Sequence, residues 1–185
     1  MTTLYLDMDG VVADFNAYAA KILTRKITGD ERWAPGEWRR LAKNQRLYRD
    51  LEMTPEADRL VDFCRGVCNH HGWALLFLTA ISKKNDVPWA FYDKVMWAQI
   101  RYPDIPVMFG PHSHDKQHHC QPGDILIDDR TRNIQEWLAA GGVGILHKGD
   151  LANTLHRLGD HARWVSMNPN RKLFNSKGIL YNYEL

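Results

Sequence analysis

Trp73-Ala74-Leu75-Leu76-Phe77-Leu78 is apolar without a break and stops at Thr79. A run this short, apolar at odd and even positions alike, fits a strand buried on both faces, the pattern of a parallel sheet covered by helices. Two further runs share the form. Leu4-Tyr5-Leu6 ends in Asp7-Met8-Asp9-Gly10, and Ile125-Leu126-Ile127 ends in Asp128-Asp129. Val107-Met108-Phe109 and Val143-Gly144-Ile145-Leu146-His147 are further strand candidates. Helical patterns lie between them. One covers 13–20, and a second runs from Thr54-Pro55-Glu56-Ala57 to His71-Gly72, with Thr54 read as N-cap and Pro55 at the first helical position. Others are opened by Pro88, closed by Gly141-Gly142, or span 151–158. Strands alternating with helices predict an α/β fold on a parallel sheet.

Residues 16–61 interrupt this alternation. They carry Trp33, Trp38 and Tyr48, many basic residues and helical spacing, with no strand and a break at Pro35-Gly36. They read as a small helical insertion, so the expected division is a core of 1–15 and 62–185 with an insert at 16–61.

The 185 residues carry 24 basic and 22 acidic side chains, a formal charge of +2 that lacks the basic excess of a general nucleic-acid binder. No apolar run approaches the roughly 20 residues of a membrane span, and the start lacks a signal-peptide layout. A cytoplasmic protein without membrane or stable nucleic-acid partners is expected, with a homodimer among its assemblies. Three cysteines, Cys64, Cys68 and Cys120, have no disulfide-framework spacing and read as reduced thiols.

The strand ends carry the chemistry. In an open parallel sheet the crevice beyond the carboxyl ends of the strands is the natural ligand site. Asp7 and Asp9 stand there, then Thr79, then Asp128 and Asp129, with Lys116 on the loop before the last pair. Carboxylates brought close together repel unless a proton or cation lies between them. Oxygen ligands with positions left for water and phosphate suit magnesium. An anionic substrate then needs donors and positive charge, which Thr79 and Lys116 supply, and Lys83 and Lys94 follow Thr79 closely enough to reach the same pocket. Alone, Asp-x-Asp-Gly also fits a plain turn, and the loop His112-Ser113-His114-Asp115-Lys116-Gln117-His118-His119-Cys120 carries soft-metal ligand types.

With these residues in order, the chain resembles the haloacid dehalogenase superfamily of phosphotransferases. Asp7-Met8-Asp9-Gly10-Val11-Val12 is similar to its first motif, Thr79 to its second, Lys116 to its third and Asp128-Asp129 to its fourth. Within it the chain resembles the 5'(3')-deoxyribonucleotidases, through Asp7 to Phe15, Lys83 four residues after Thr79, Tyr92-Asp93-Lys94-Val95-Met96-Trp97, Asp115-Lys116 and Leu126 to Arg130.

The resemblance implies a Rossmann-like three-layer core with a helical cap inserted after the first strand. It implies a magnesium-dependent phosphomonoester hydrolase acting on a small phosphate ester, a (deoxy)nucleoside 5'-monophosphate in the nearest relatives. Asp7 would be the nucleophile and Asp9 the general acid and base. Asp7, the Asp9 carbonyl and Asp128 would hold Mg2+, supported by Asp129. Thr79 and Lys116 would bind phosphate, assisted by Lys83 and Lys94. Phe15 would contact the base, with Trp33 or Trp38 in a similar role. The pattern departs from the relatives at Thr79-Ala80, where they tend to have Thr-Ser, in the histidine-rich loop, and in the tail from Trp164. Two other readings stay open: a phosphatase of the same fold for another small ester or a nucleic-acid end, and a metal-binding protein without activity.

Overall fold

The computed structural model describes residues 1–30, 33–82 and 87–168. Strands β1 (Thr3–Leu6), β2 (Ala74–Thr79), β3 (Val107–Phe109), β4 (Ile125–Asp128) and β5 (Val143–Leu146) pair in parallel in the order β3-β2-β1-β4-β5. Among the described residues the helices are α1 (Phe15–Leu23), α2 (Pro35–Leu41), α3 (Ala57–His71), α4 (Ala90–Arg101), α5 (Thr131–Ala139) and α6 (Leu151–Met167), with a 3-10 helix at Ser113–His119. None is long and apolar enough to cross a membrane.

Side-chain alternation along the strands makes the layers. Leu4, Leu6, Phe77, Ile125 and Ile127 face one way, into a core with Leu60 and Cys64 of α3, Trp97 of α4 and Leu158 of α6. Tyr5, Leu78 and Leu126 face the other way, against Ile134 and Trp137 of α5. The Trp137 ring meets Tyr5 edge-on at 5.3 Å, and its Nε1 donates to the Asp124 carbonyl at 3.1 Å. The expected α/β, Rossmann-like three-layer core is the observed one.

Strand order sets the site. The chain runs outward from β1 through β2 to β3, then returns to the other side of β1 as β4, which opens a crevice at the carboxyl ends. Leu6 pairs with both Phe77 and Ile127, and the Asp7 N–H donates to the Ile127 carbonyl at 2.9 Å. Asp7 and Asp128 therefore leave the sheet side by side.

Several element ends differ from the sequence expectation. Helix α1 begins at Phe15 because Asp14 caps it, its Oδ1 accepting from the Ala17 N–H at 2.8 Å. Thr54 caps nothing: its hydroxyl donates to the Val11 carbonyl at 2.8 Å, tying the chain after the insertion to the loop after β1. Helix α3 starts behind Glu56, so residues 57–61 of the expected insertion open a helix that packs on β2 and α6. Helix α5 begins at Thr131 instead of Asn133, and α6 runs past 158 to Met167.

Candidate active site

Asp7, Asp128 and Asp129 are buried and offer carboxylate oxygens that all lie within 4.8 Å of one another. They are the residues that could hold a cation; the ligand types of 112–120 form no such group among the described residues. In that loop the Asp115 carboxylate caps the 3-10 helix by accepting from the His112 N–H at 3.0 Å. His119 Nε2 meets the Phe109 carbonyl at 3.0 Å, and His118 is exposed.

One lysine sits among the three acids. Lys116 is 2% exposed, and its Nζ lies 2.8 Å from Asp7 Oδ1 and 2.7 Å from Asp128 Oδ2. It reaches them because the 3-10 helix tucks against Gly110, where a Cβ would stand 2.6 Å from the Lys116 backbone nitrogen. Asp128 accepts from three residues, Lys116 among them. Asn133 Nδ2 donates to both its oxygens, at 3.0 and 2.9 Å, and the Arg130 N–H donates to Oδ1 at 2.8 Å. Asp7 Oδ1 also accepts from the Met8 N–H at 2.7 Å. No donor among the described residues bonds the Asp129 carboxylate, which presses on Gly10 so closely that a Cβ there would run into Oδ2. Gly10 also has φ +79°, in the region that favours glycine.

The charges do not balance. Three buried carboxylates surround one ammonium, and burial, with Asp128 and Asp9 adding to it against Lys116, raises the Asp7 carboxyl to about 7. Burial, then Asp128 and Asp7, push Asp129 well above the usual carboxylate range. Burial opposes the Lys116 charge, but Asp128 and Asp7 outweigh it and hold its ammonium above the ordinary lysine value. A site so poised gains from added positive charge.

Two other expected residues, Asp9 and Thr79, meet at a third, Lys94. Asp9 stands beside Asp7 on the rim of the site, where Lys94 Nζ donates to its Oδ2 at 2.6 Å. Thr79 is fully buried at the end of β2, and its Oγ1 accepts from the same Lys94 at 3.0 Å. Lys83 lies outside the described residues.

A cavity of about 1270 Å³ opens over Asp7, Asp9, Lys116 and Asp129. One wall is aromatic, from Phe15, Trp33, Trp38 and Tyr48. Phe15 meets Trp33 edge-on at 5.9 Å and stacks on Tyr48 at 6.4 Å. His112, Ser113, His114 and Arg130 also line the cavity. Across the mouth, Asp30 accepts from the Thr131 N–H at 3.1 Å, the Thr131 hydroxyl at 3.0 Å and Lys148 Nζ at 2.7 Å. The sequence does not single out Asn133 and Asp30, and it marks Tyr48 and Arg130 without a site role. Asn133 had a usable signal, a donor five residues after a strand-end acid, one turn into the next helix. No protein-family model matches the chain, and no curated protein matches it.

Proposed function

We propose that this protein is a magnesium-dependent phosphomonoester hydrolase of the haloacid dehalogenase type, with (deoxy)nucleoside 5'-monophosphates as its substrates. The observation that carries the reading is the convergence of Asp7, Asp128 and Asp129 on one buried point bridged by Lys116, at the floor of a large cavity.

Asp7 attacks the phosphorus in line. Its oxygen–phosphorus bond forms as the bond to the alcohol breaks, giving an aspartyl-phosphate. Asp9 protonates the departing alcohol and then takes a proton from the water that releases inorganic phosphate. Lys116 offsets charge on the phosphoryl oxygens and keeps Asp7 beside Asp128. Thr79 Oγ1 accepts from Lys94 and keeps its own proton to donate. Asp7, the Asp9 carbonyl and Asp128, supported by Asp129, would hold a magnesium ion, whose charge would offset that of the phosphoryl group. Asn133 and the Arg130 N–H orient Asp128 for that role. The aromatic wall supports a flat base as the group carried by the ester.

Phosphate release from a panel of nucleoside and deoxynucleoside monophosphates, with magnesium and with chelator, tests the reading. Fast magnesium-dependent release from one or a few nucleotides is expected. Release only from a generic aryl phosphate would move the substrate elsewhere while keeping the chemistry. Release unaffected by chelator would overturn the metal assignment.

A further inference from the structure

We infer that Lys94 is the positioning residue for the general acid Asp9 and not a ligand of the substrate phosphate. The inference rests on the phosphohydrolase reading above and assigns one residue within it.

The first argument counts donors. An ammonium has three N–H groups. Lys94 directs one to Asp9 Oδ2 at 2.6 Å and one to Thr79 Oγ1 at 3.0 Å, and its Nζ lies 4.3 Å from the centre of the Tyr48 ring. The side chain is 1% exposed. A phosphate in the cavity would find at most one N–H of Lys94 uncommitted.

The second argument concerns Asp9. Among the described residues Lys94 is the one donor that bonds its carboxylate. The other oxygen, Oδ1, is buried and has no hydrogen-bond partner among the described residues. The direction of the carboxyl therefore depends on Lys94, as no second bond fixes it.

The third argument is where Lys94 is anchored. Its neighbour Asp93 is fully buried and accepts both Arg46 Nε at 3.0 Å and Arg46 Nη2 at 2.5 Å. The Arg46 guanidinium lies 5.0 Å from the Trp89 ring centre and 5.9 Å from that of Tyr92. The first turn of α4 is thereby tied to the segment that carries Tyr48. Lys94 joins that segment to the acid that acts on the leaving group.

The chemistry supplies a readout that a general loss of structure would not give. When Asp7 takes the phosphoryl group, an alkyl leaving group departs as an alkoxide and needs the Asp9 proton. A nitrophenyl leaving group departs as a stable phenolate and needs it little. The value of kcat/KM stops at this first irreversible step, before water attacks the aspartyl-phosphate, Asp9 takes the water's proton and the bond to Asp7 breaks.

The experiment compares kcat/KM of wild type, Lys94→Met and Lys94→Arg on a nucleoside 5'-monophosphate and on p-nitrophenyl phosphate. It adds Ki for inorganic phosphate and the same pair of esters in an Asp9→Asn background. Positioning predicts that Lys94→Met loses about 10²-fold on the nucleotide and less than about 10-fold on the aryl ester. Inhibition by phosphate should stay near wild type. Lys94→Arg, which keeps a charged donor, should recover part of the nucleotide rate, and Lys94→Met should add no leaving-group effect once Asp9 is Asn. Lys94→Gln serves in its place where Lys94→Met does not fold. Equal losses on both esters with weaker phosphate inhibition would overturn the inference and return Lys94 to the phosphate. So would unchanged rates on both. A wild-type protein that hydrolyses neither ester overturns the underlying reading and this inference with it.

Discussion

The floor of the cavity and its aromatic wall are built in different ways. The floor is set by the sheet. Leu6 pairs with Ile127, so Asp7 and Asp128 emerge side by side, and Lys116 and Asn133 fasten them with buried bonds. The wall is set by the insertion. Phe15, Trp33 and Tyr48 come from α1, an irregular stretch and a turn region, and the segment between α1 and α2 is tied down at its edge by half-exposed pairs such as Asp30–Lys148 and Arg25–Glu37. A site whose charges must lie within a few ångströms uses backbone register, while a surface that selects a ligand can be assembled from side chains on adjustable segments.

The largest expected effect lies at the floor. Asp7→Asn removes the proposed nucleophile and should lower turnover by at least about 10⁴-fold with the fold retained. Circular dichroism and phosphate release on the same sample check both halves. Next is Lys116→Met, which leaves Asp7 and Asp128 buried without their shared cation. Loss of one partner of a buried pair costs about 3–5 kcal/mol. Urea unfolding without metal should show a loss of that order, and magnesium should restore more stability to the variant than to wild type.

The wall should respond differently. Trp33→Ala removes a ring that is only partly buried, so its cost should appear in recognition. Stacking on a base is worth about 1–3 kcal/mol. The KM for a nucleotide should rise about 10-fold, with kcat and the rate on an aryl phosphate nearly unchanged. Equal losses on both esters would mean that the wall shapes the floor. The smallest effect belongs to Asp30→Ala. The pair with Lys148 is half exposed, and such pairs contribute about 0–1 kcal/mol. Thermal unfolding should shift little, and a large shift would give the rim a share in holding the fold.

The same contrast governs what the sequence made legible. The floor was readable because buried strands leave a plain pattern and an acid at the end of an apolar run stands out: Asp7, Asp128 and Asp129 converge where the strand ends put them. Thr54 misled because its hydroxyl suits a helix cap, and only the folded chain shows that the Val11 carbonyl competes for it. The Lys94–Asp9 bond spans 85 residues and depends on how α4 meets the loop after β1, which no local pattern encodes. Tyr48 and Asp30 have no periodic signal, because they lie outside regular elements. Lys83, expected at the phosphate, lies outside the described residues.

The central claim is that Asp7 carries the phosphoryl group during turnover. Mixing the protein with substrate and magnesium, quenching in acid within one turnover and mapping peptides by mass spectrometry tests it most directly. The account predicts a single added phosphoryl group on the N-terminal peptide at Asp7, absent in Asp7→Asn and lost when the quench is delayed beyond turnover. Phosphate release at full rate with no labelled peptide at any quench time, together with a folded Asp7→Asn that still turns over, would contradict it.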